Sequence, residues 1–362
     1  MKKMQTQLLM FKKSSCLKIL LIFCGLCFVF VFKVYSFQVD SVISRDSNVR
    51  WLKDPKSIYN LLRGKGISVN TDIVYDTPKR CKLDLLLPKD YQKLPSVPVV
   101  MIFHGGGFVK GDRFKGAARF SREVGRFLAN DIAVALVDYP LMDRYKTDMN
   151  TLQCITQAAR SVQFIRHNAK KYNINSNKII ALGSSAGAGI TLFLATNELK
   201  DSVAENKMYR ESSRIAVAGL FDTQMGYNFF DWEKYFKIKM KYSPKIVAQM
   251  RFHYKLKNIN SNEALVLREK LAFQEQLTKN FTPPLFLSCS TDESVPLDPN
   301  KVGQMIHHVM HSNVLYIKAT EQKIKCQLVI KKKRCANVKL PIDFVNFALN
   351  NLKGNSKIKN KK

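Results

Sequence analysis

A chain of 362 residues with 46% hydrophobic and 24% charged side chains has an ordinary globular balance and enough length for one large domain or two small ones. Its formal net charge of +31 arises from 59 Lys and Arg against 28 Asp and Glu, yet the basic residues are scattered through every segment, with runs only at Lys331-Lys332-Lys333-Arg334 and in a tail over 353–362 that reads as disordered. The aromatics fall in apolar strand and helix patterns and are not interleaved with the basic residues as stacking platforms, so no nucleic-acid partner is expected.

The N-terminus reads as an address. Lys2, Lys3, Lys12, Lys13 and Lys18 precede the apolar stretch 19–32, and Val34-Tyr35-Ser36 places small residues at −3 and −1. That is the layout of a secretory signal peptide cut after Ser36, which implies a secreted or periplasmic protein. Left uncut, the same stretch would anchor the chain to a membrane with the basic end in the cytoplasm, although it is short of the roughly 20 residues of a full span. Cys24 and Cys27 lie inside this segment and are discounted as a metal or redox motif. Cleavage would leave Cys81, Cys154, Cys289, Cys326 and Cys335, of which Cys326 and Cys335 are placed to clip the strand 327–330 to the segment after it. Connectivity is not readable from spacing.

Residues 37–68 read as a mixed lead-in, mobile or helical. Two edge strands, 72–75 and 81–87, come next as a hairpin. Residues 98–103 are wholly apolar, as a strand buried on both faces of a parallel sheet should be, and end at His104-Gly105-Gly106-Gly107. A helix is expected over 119–129, then a buried strand over 132–137 ending at Asp138-Tyr139-Pro140-Leu141. Leu152, Ile155, Ala159, Val162 and Ile165 mark an amphipathic helix over 149–171. The apolar run 178–182 leads into Gly183-Ser184-Ser185-Ala186-Gly187 and the apolar run 188–195, which reads strand, tight turn, helix with Ser185 at the apex. A strand over 214–221 succeeds it. The aromatic, basic segment 223–280 interrupts the rhythm as a helical cap insertion, and strands 284–289 and 327–330 with helices 313–325 and 341–352 complete one domain over 37–352. Alternating buried strands and helices specify an α/β class, a mostly parallel sheet covered on both faces.

The polar and glycine-rich sites fall at the C-terminal ends of strands, where open α/β sheets place ligands. Neither GxGxxG nor GxxxxGK[ST] is present, so no nucleotide cofactor is expected, and no metal site is evident. Three consecutive glycines after His104 let backbone N–H groups face an oxygen, while the small residues flanking Ser185 let a serine project from a sharp turn.

His104-Gly105-Gly106-Gly107-Phe108, Asp138-Tyr139-Pro140-Leu141 and Gly183-Ser184-Ser185-Ala186-Gly187 resemble, in order and spacing, the α/β-hydrolase esterases and lipases with an HGGG oxyanion motif, the hormone-sensitive-lipase-like and carboxylesterase relatives, over about residues 70–350. The resemblance implies an α/β-hydrolase fold, a small-molecule ester substrate, a nucleophile at Ser185 acting through an acyl-enzyme, and oxyanion donors at the Gly106, Gly107 and Ala186 amides. It also implies an acid on Asp292, with Glu293 and Asp298 as rivals. The sequence departs from the pattern at the base, because residues 331–340, where relatives place a histidine, contain none. His307 and His308, with His311 beside them, are the substitutes on offer, while His104, His167 and His253 read as structural. A hydrolase that has lost its base and serves as a binding protein is the alternative reading.

Overall fold

The computed structural model describes residues 51–77, 79–142, 148–239, 244–298, 302–331, 333–334 and 343–354. The proposed signal or anchor segment, the end of the basic tail and Cys335 of the expected clip lie outside these residues. Among the described residues, no helix is long and apolar enough to cross a membrane.

Among the described residues, nine strands form one sheet in the order β1-β2-β4-β3-β5-β6-β7-β8-β9. β1 (Ser68–Val74) and β2 (Lys82–Leu87) are the expected antiparallel hairpin. β3 (Val97–Phe103), β4 (Ala133–Val137), β5 (Ile174–Ser184), β6 (Val217–Phe221), β7 (Leu285–Cys289) and β8 (Cys326–Ile330) run parallel. The two-residue β9 (Lys333–Arg334) turns back antiparallel to β8. The strand order reverses around β3, so the turns leaving β3 and β5 open side by side at one edge of the crevice.

Alternation along each strand divides the core. Val99, Met101 and Phe103 pack on one face under α4 (Thr151–His167) and α5 (Ala186–Thr196), whereas Val100 and Ile102 pack on the other with α1 (Pro55–Gly64), α3 (Ser121–Leu128) and α11 (Phe344–Gly354). Between β6 and β7 lie α6 (Phe229–Phe236), α7 (Pro244–Tyr254) and α8 (Asn262–Lys270), the helical insertion read from the loss of strand rhythm.

Several boundaries differ from the sequence reading. The helix expected over 119–129 is two helices, α2 (Arg113–Arg119) and α3, separated at Phe120 (φ −116°, ψ 28°). The buried Phe120 ring meets Phe221 at 5.1 Å, so packing on β6 overrides the continuous helical pattern. The helix expected from residue 313 begins at Val309 as α10 (Val309–Glu321), preceded by the short α9 (Val302–Met305), because His308 caps its N-terminus.

Charge is concentrated beneath the β3 turn. The Arg113 guanidinium donates through Nε to Asp84 Oδ2 (2.6 Å), Nη1 to Asp138 Oδ2 (2.7 Å) and Nη2 to Asp72 Oδ1 (2.8 Å), and its backbone N–H donates to Asp138 Oδ1 (2.7 Å). Asp84 is fully buried and also accepts the Tyr59 hydroxyl. Three carboxylates on one planar fork tie β1, β2 and the end of β4 to the start of α2. Removing the cation would strand buried negative charge, which typically costs about 3–5 kcal/mol. Arg113→Met should lower unfolding stability by that order in urea titration; an unchanged midpoint would show the cluster to be energetically neutral.

Candidate active site

β5 ends at Ser184 and α5 begins at Ala186, so Ser185 alone makes the corner. Its backbone sits at φ 55°, ψ −120°, a left-handed φ that costs a non-glycine residue on the order of 1–3 kcal/mol. Neighbouring elements hold it there. The Ser185 N–H donates to Phe221 O at the end of β6 (2.9 Å), and Ser185 O accepts the Gly189 N–H in the first turn of α5 (3.0 Å). A Cβ on Gly187 would lie 2.1 Å from Phe103 O and 2.7 Å from His104 O, so only glycine lets the start of α5 press against the end of β3.

The β3 turn is fixed as tightly. Gly106 has φ 127°, and a Cβ there would fall 1.9 Å from Lys110 O, so this position also requires glycine. Gly106 O accepts the N–H groups of Val109 (3.1 Å) and Lys110 (3.2 Å), closing the loop. The Tyr139 hydroxyl donates to His104 O (2.6 Å) while its ring stacks on the imidazole at 4.2 Å. Arg80 spans the two loops, donating from Nη2 to Gly111 O (2.7 Å) and from Nε to Tyr139 O (3.3 Å). The Gly107 and Ala186 N–H groups find no acceptor among the described residues. Both residues line the cavity that Ser185 faces. Two such amides beside a serine, at the positive end of α5, suit an oxygen that is gaining negative charge.

That cavity has a volume of about 710 Å³. Gly107, Phe108, Ser185 and Ala186 form one side of it, and Phe229, Trp232, Phe252 and His253 from the insertion form the other. The wall is mainly apolar; besides Ser185, the side chains of Gln224, Tyr227, Gln249 and His253 bring polar atoms to it. Among the described residues its lining holds no carboxylate or lysine, which suits an uncharged acyl or alcohol group.

All six histidines are among the described residues, and burial sorts them. His104 is fully buried, and burial pulls its imidazole down to about 4. His167 lies at the far end of α4, 3.8 Å from Glu211. His253 Nδ1 lies 2.9 Å from the Thr151 hydroxyl, and burial lowers it to about 4. His311 accepts the Met225 N–H on Nδ1 (3.3 Å), donates from Nε2 to Met305 O (3.0 Å) and is lowered to about 3 by burial. His308 accepts the Met310 N–H on Nδ1 (3.2 Å) and donates from Nε2 to Val295 O (2.8 Å), which commits both nitrogens to capping α10. His307 places Nδ1 3.1 Å from Asp222 O, and no hydrogen bond among the described residues takes its Nε2.

Asp292 lies just after β7, but its carboxylate meets no imidazole. Lys331 Nζ lies 2.6 Å from Oδ2, and Ser294 donates to Oδ1 from its N–H (3.1 Å) and its hydroxyl. The Lys331 ammonium first, and then Ser294, hold the carboxyl down at about 2. Of its rivals, Glu293 accepts the Asn313 amide at 3.4 Å. The structure therefore brings Ser185, Gly107 and Ala186 to one cavity, and sets Asp292 in a separate ion pair. Ser185 Oγ has no imidazole partner within hydrogen-bonding distance among the described residues. Asp222 and Gln224, which no sequence motif marks, brace the 306–307 turn; the one signal is that Asp222 closes the strand beside the elbow.

A family model described as BD-FAE matches residues 83–301. The isoprenylcysteine alpha-carbonyl methylesterase ICME of Arabidopsis thaliana is 28% identical over 238 residues, covering 64% of this chain and 51% of that protein. The chain thus spans about half the length of this curated relative. The acetyl ester-xyloside bifunctional hydrolase of Caldicellulosiruptor lactoaceticus superposes with a TM-score of 0.50 at 19% identity, covering 73% of this chain and 85% of that one. The butyrate-bound esterase Est2 of Thermogutta terrifontis superposes with a TM-score of 0.50 at 18% identity, covering 82% and 97%. The fold is that of the α/β-hydrolases.

The ionisable groups generate two predictions. His104, His253 and His311 are neutral in the folded chain below the ordinary imidazole value of about 6.5, where the unfolded chain binds protons. Their contribution to stability is therefore present above about 6.5 and is lost as pH falls from there toward 4. Replacing His311 with Gln should flatten the pH dependence of unfolding free energy between pH 7 and 5 by up to about 1.4 kcal/mol per pH unit; equal slopes would contradict its burial as a neutral group. Lys331→Met should move the Asp292 carboxyl up toward the ordinary aspartate value of about 3.9 in an NMR titration. No movement would mean that Lys331 does not hold it.

Proposed function

The chain belongs to the BD-FAE family, and on that premise we propose that it is a carboxylic ester hydrolase acting through an acyl-enzyme on Ser185. The observation that carries this is the strained Ser185, at φ 55°, facing an apolar cavity beside the Gly107 and Ala186 amides, which have no acceptor among the described residues. An ester carbonyl in that cavity would present its carbon to Oγ and its oxygen to the amides. Gly106 completes the donor loop. The strain is part of the design: the neighbours that enforce it also fix Oγ relative to the donors, so little reorganisation is needed as charge develops. The substrate is a small neutral ester whose acyl or alcohol group fills about 710 Å³ of mostly apolar space.

A second reading keeps the fold and elbow but loses catalysis, leaving a binding protein. It draws on the absence of an imidazole at Ser185 Oγ among the described residues and on the Asp292–Lys331 ion pair. Labelling with a fluorophosphonate separates the two. The wild-type chain should be labelled stoichiometrically at Ser185, and Ser185→Ala should lose labelling and at least about a thousandfold in turnover of p-nitrophenyl butyrate. A folded wild-type protein that takes no label, or a Ser185→Ala variant that labels equally, would sink the hydrolase reading.

A further inference from the structure

We propose that the base for Ser185 is His307, oriented by the backbone carbonyl of Asp222, and that Asp292 takes no part in the proton relay. This rests on the ester-hydrolase reading and deepens it. The elbow and the imidazole hang from consecutive carbonyls: Ser185 N–H bonds Phe221 O at 2.9 Å, and His307 Nδ1 bonds Asp222 O at 3.1 Å. Asp222 has φ 49°, which turns its carbonyl away from the strand ladder, and its side chain is spent elsewhere, accepting the Ser290 N–H on Oδ1 (2.7 Å). A carbonyl can only accept, so Nδ1 carries the proton and Nε2 presents a lone pair, the tautomer a general base requires.

The turn that carries His307 is fixed on both sides. Thr291 Oγ1 donates to His307 O (2.8 Å), while Gln224 donates from Nε2 to Ile306 O (2.7 Å) and lies 3.5 Å from His307 Nδ1. Gln224 and Ile306 line the same cavity as Ser185, so the turn borders the reacting space. Two of the other histidines are fully committed, and two lie outside the cavity lining. His308 and His311 have both nitrogens in structural bonds, His104 is sealed in the core, and His167 is at the far end of α4. His253 lines the cavity on the insertion's side, but burial pulls it to about 4, too weak a base for efficient proton transfer near neutrality. Catalytic hydrogen bonds are often long before substrate arrives, so Oγ and Nε2 would close up when an ester fills the cavity.

In the reaction, Nε2 takes the Oγ proton as the Oγ–carbon bond forms, and the carbonyl π pair moves onto the oxygen held by the Gly107 and Ala186 amides. Collapse returns that pair, breaks the bond to the alcohol oxygen, and sends the Nε2 proton to the departing alcohol. Water then repeats the sequence on the acyl-enzyme, releasing the acid and restoring Ser185 and neutral His307. The Asp222 carbonyl steadies the imidazolium at each stage. Asp292 and Lys331 instead form an ion pair that pins the turn after β7 to the end of β8.

Turnover of p-nitrophenyl butyrate by the full chain tests this in four variants, each with its melting temperature recorded. His307→Ala should lose about a thousandfold or more in kcat and regain part of it when imidazole is added to the buffer, a rescue that a merely structural residue would not show. His307→Gln, which keeps a donor for the Asp222 carbonyl but has no basic nitrogen, should be as inactive while folded. Asp292→Asn should keep kcat within about tenfold, where a carboxylate in a Ser-His-Asp relay would cost about 10⁴. His253→Ala should alter KM more than kcat. Loss in Asp292→Asn matching that in His307→Ala would overturn the proposal, as would an unaffected His307→Gln, while in both cases an inactive Ser185→Ala would leave the hydrolase reading standing. A wild-type chain that neither labels at Ser185 nor turns over ester would remove both.

Discussion

The close approach of two turns, one leaving β3 and one leaving β5, is the constraint on which the site depends. Gly187 lies against the carbonyls of Phe103 and His104 at distances that admit no side chain. The start of α5 is therefore wedged against the end of β3, and the chain between β5 and α5 has room for one residue. Ser185 must then take a left-handed φ, with its side chain directed out of the sheet edge. The same contact sets the β3 turn and the α5 N-terminus side by side, so Gly107 and Ala186 border the one cavity that Ser185 faces. Strain at the serine and this juxtaposition have one cause.

Such a contact holds only if both turns are rigid, and the surrounding polar groups supply that. Arg113 gathers Asp72, Asp84 and Asp138 beneath the β3 turn, and Arg80 and Tyr139 stitch that turn to the end of β4. Asp84 and Asp138 are ion-paired to Arg113, and Asp138 also lies 3.6 Å from Arg80, so the buried carboxylates of the cluster all face a guanidinium. The insertion between β6 and β7 covers the result with aromatic side chains. An apolar surround of this kind would strengthen the interaction of backbone amides with any negative charge formed beside them.

Burial also explains the histidines. The cluster at 307–311 reads in the sequence as three equivalent candidates, yet the structure gives each a separate task. His308 ends up as a helix cap and His311 as a neutral wedge between Trp232 and Phe236. Of the three, only His307 is half-buried with one nitrogen uncommitted among the described residues. Asp292 keeps the position the resemblance implies, after β7, but the absence of a histidine after β8 leaves Lys331 there instead, and the carboxylate pairs with the ammonium.

The sequence by itself determined the buried strands, the helical insertion, the elbow at Ser185 and the glycine-rich turn after His104. These are local properties: an apolar run of five or six residues, a period of 3.6, or a glycine where no Cβ fits is written in neighbouring positions. Helix boundaries were less legible, because Phe120 breaks a continuous pattern to pack on Phe221, far along the chain. The tertiary structure alone decided which imidazole nitrogens are free and which partner Asp292 takes. The Asp222 carbonyl and the His307 ring are 85 residues apart in the chain, and the partner of Asp292 comes from a different strand end. Hydrogen bonds of that span depend on the paths of intervening loops, which no local pattern encodes. Ser185 was legible because one turn makes it; the setting of His307 was not, because three separate segments must meet to position it.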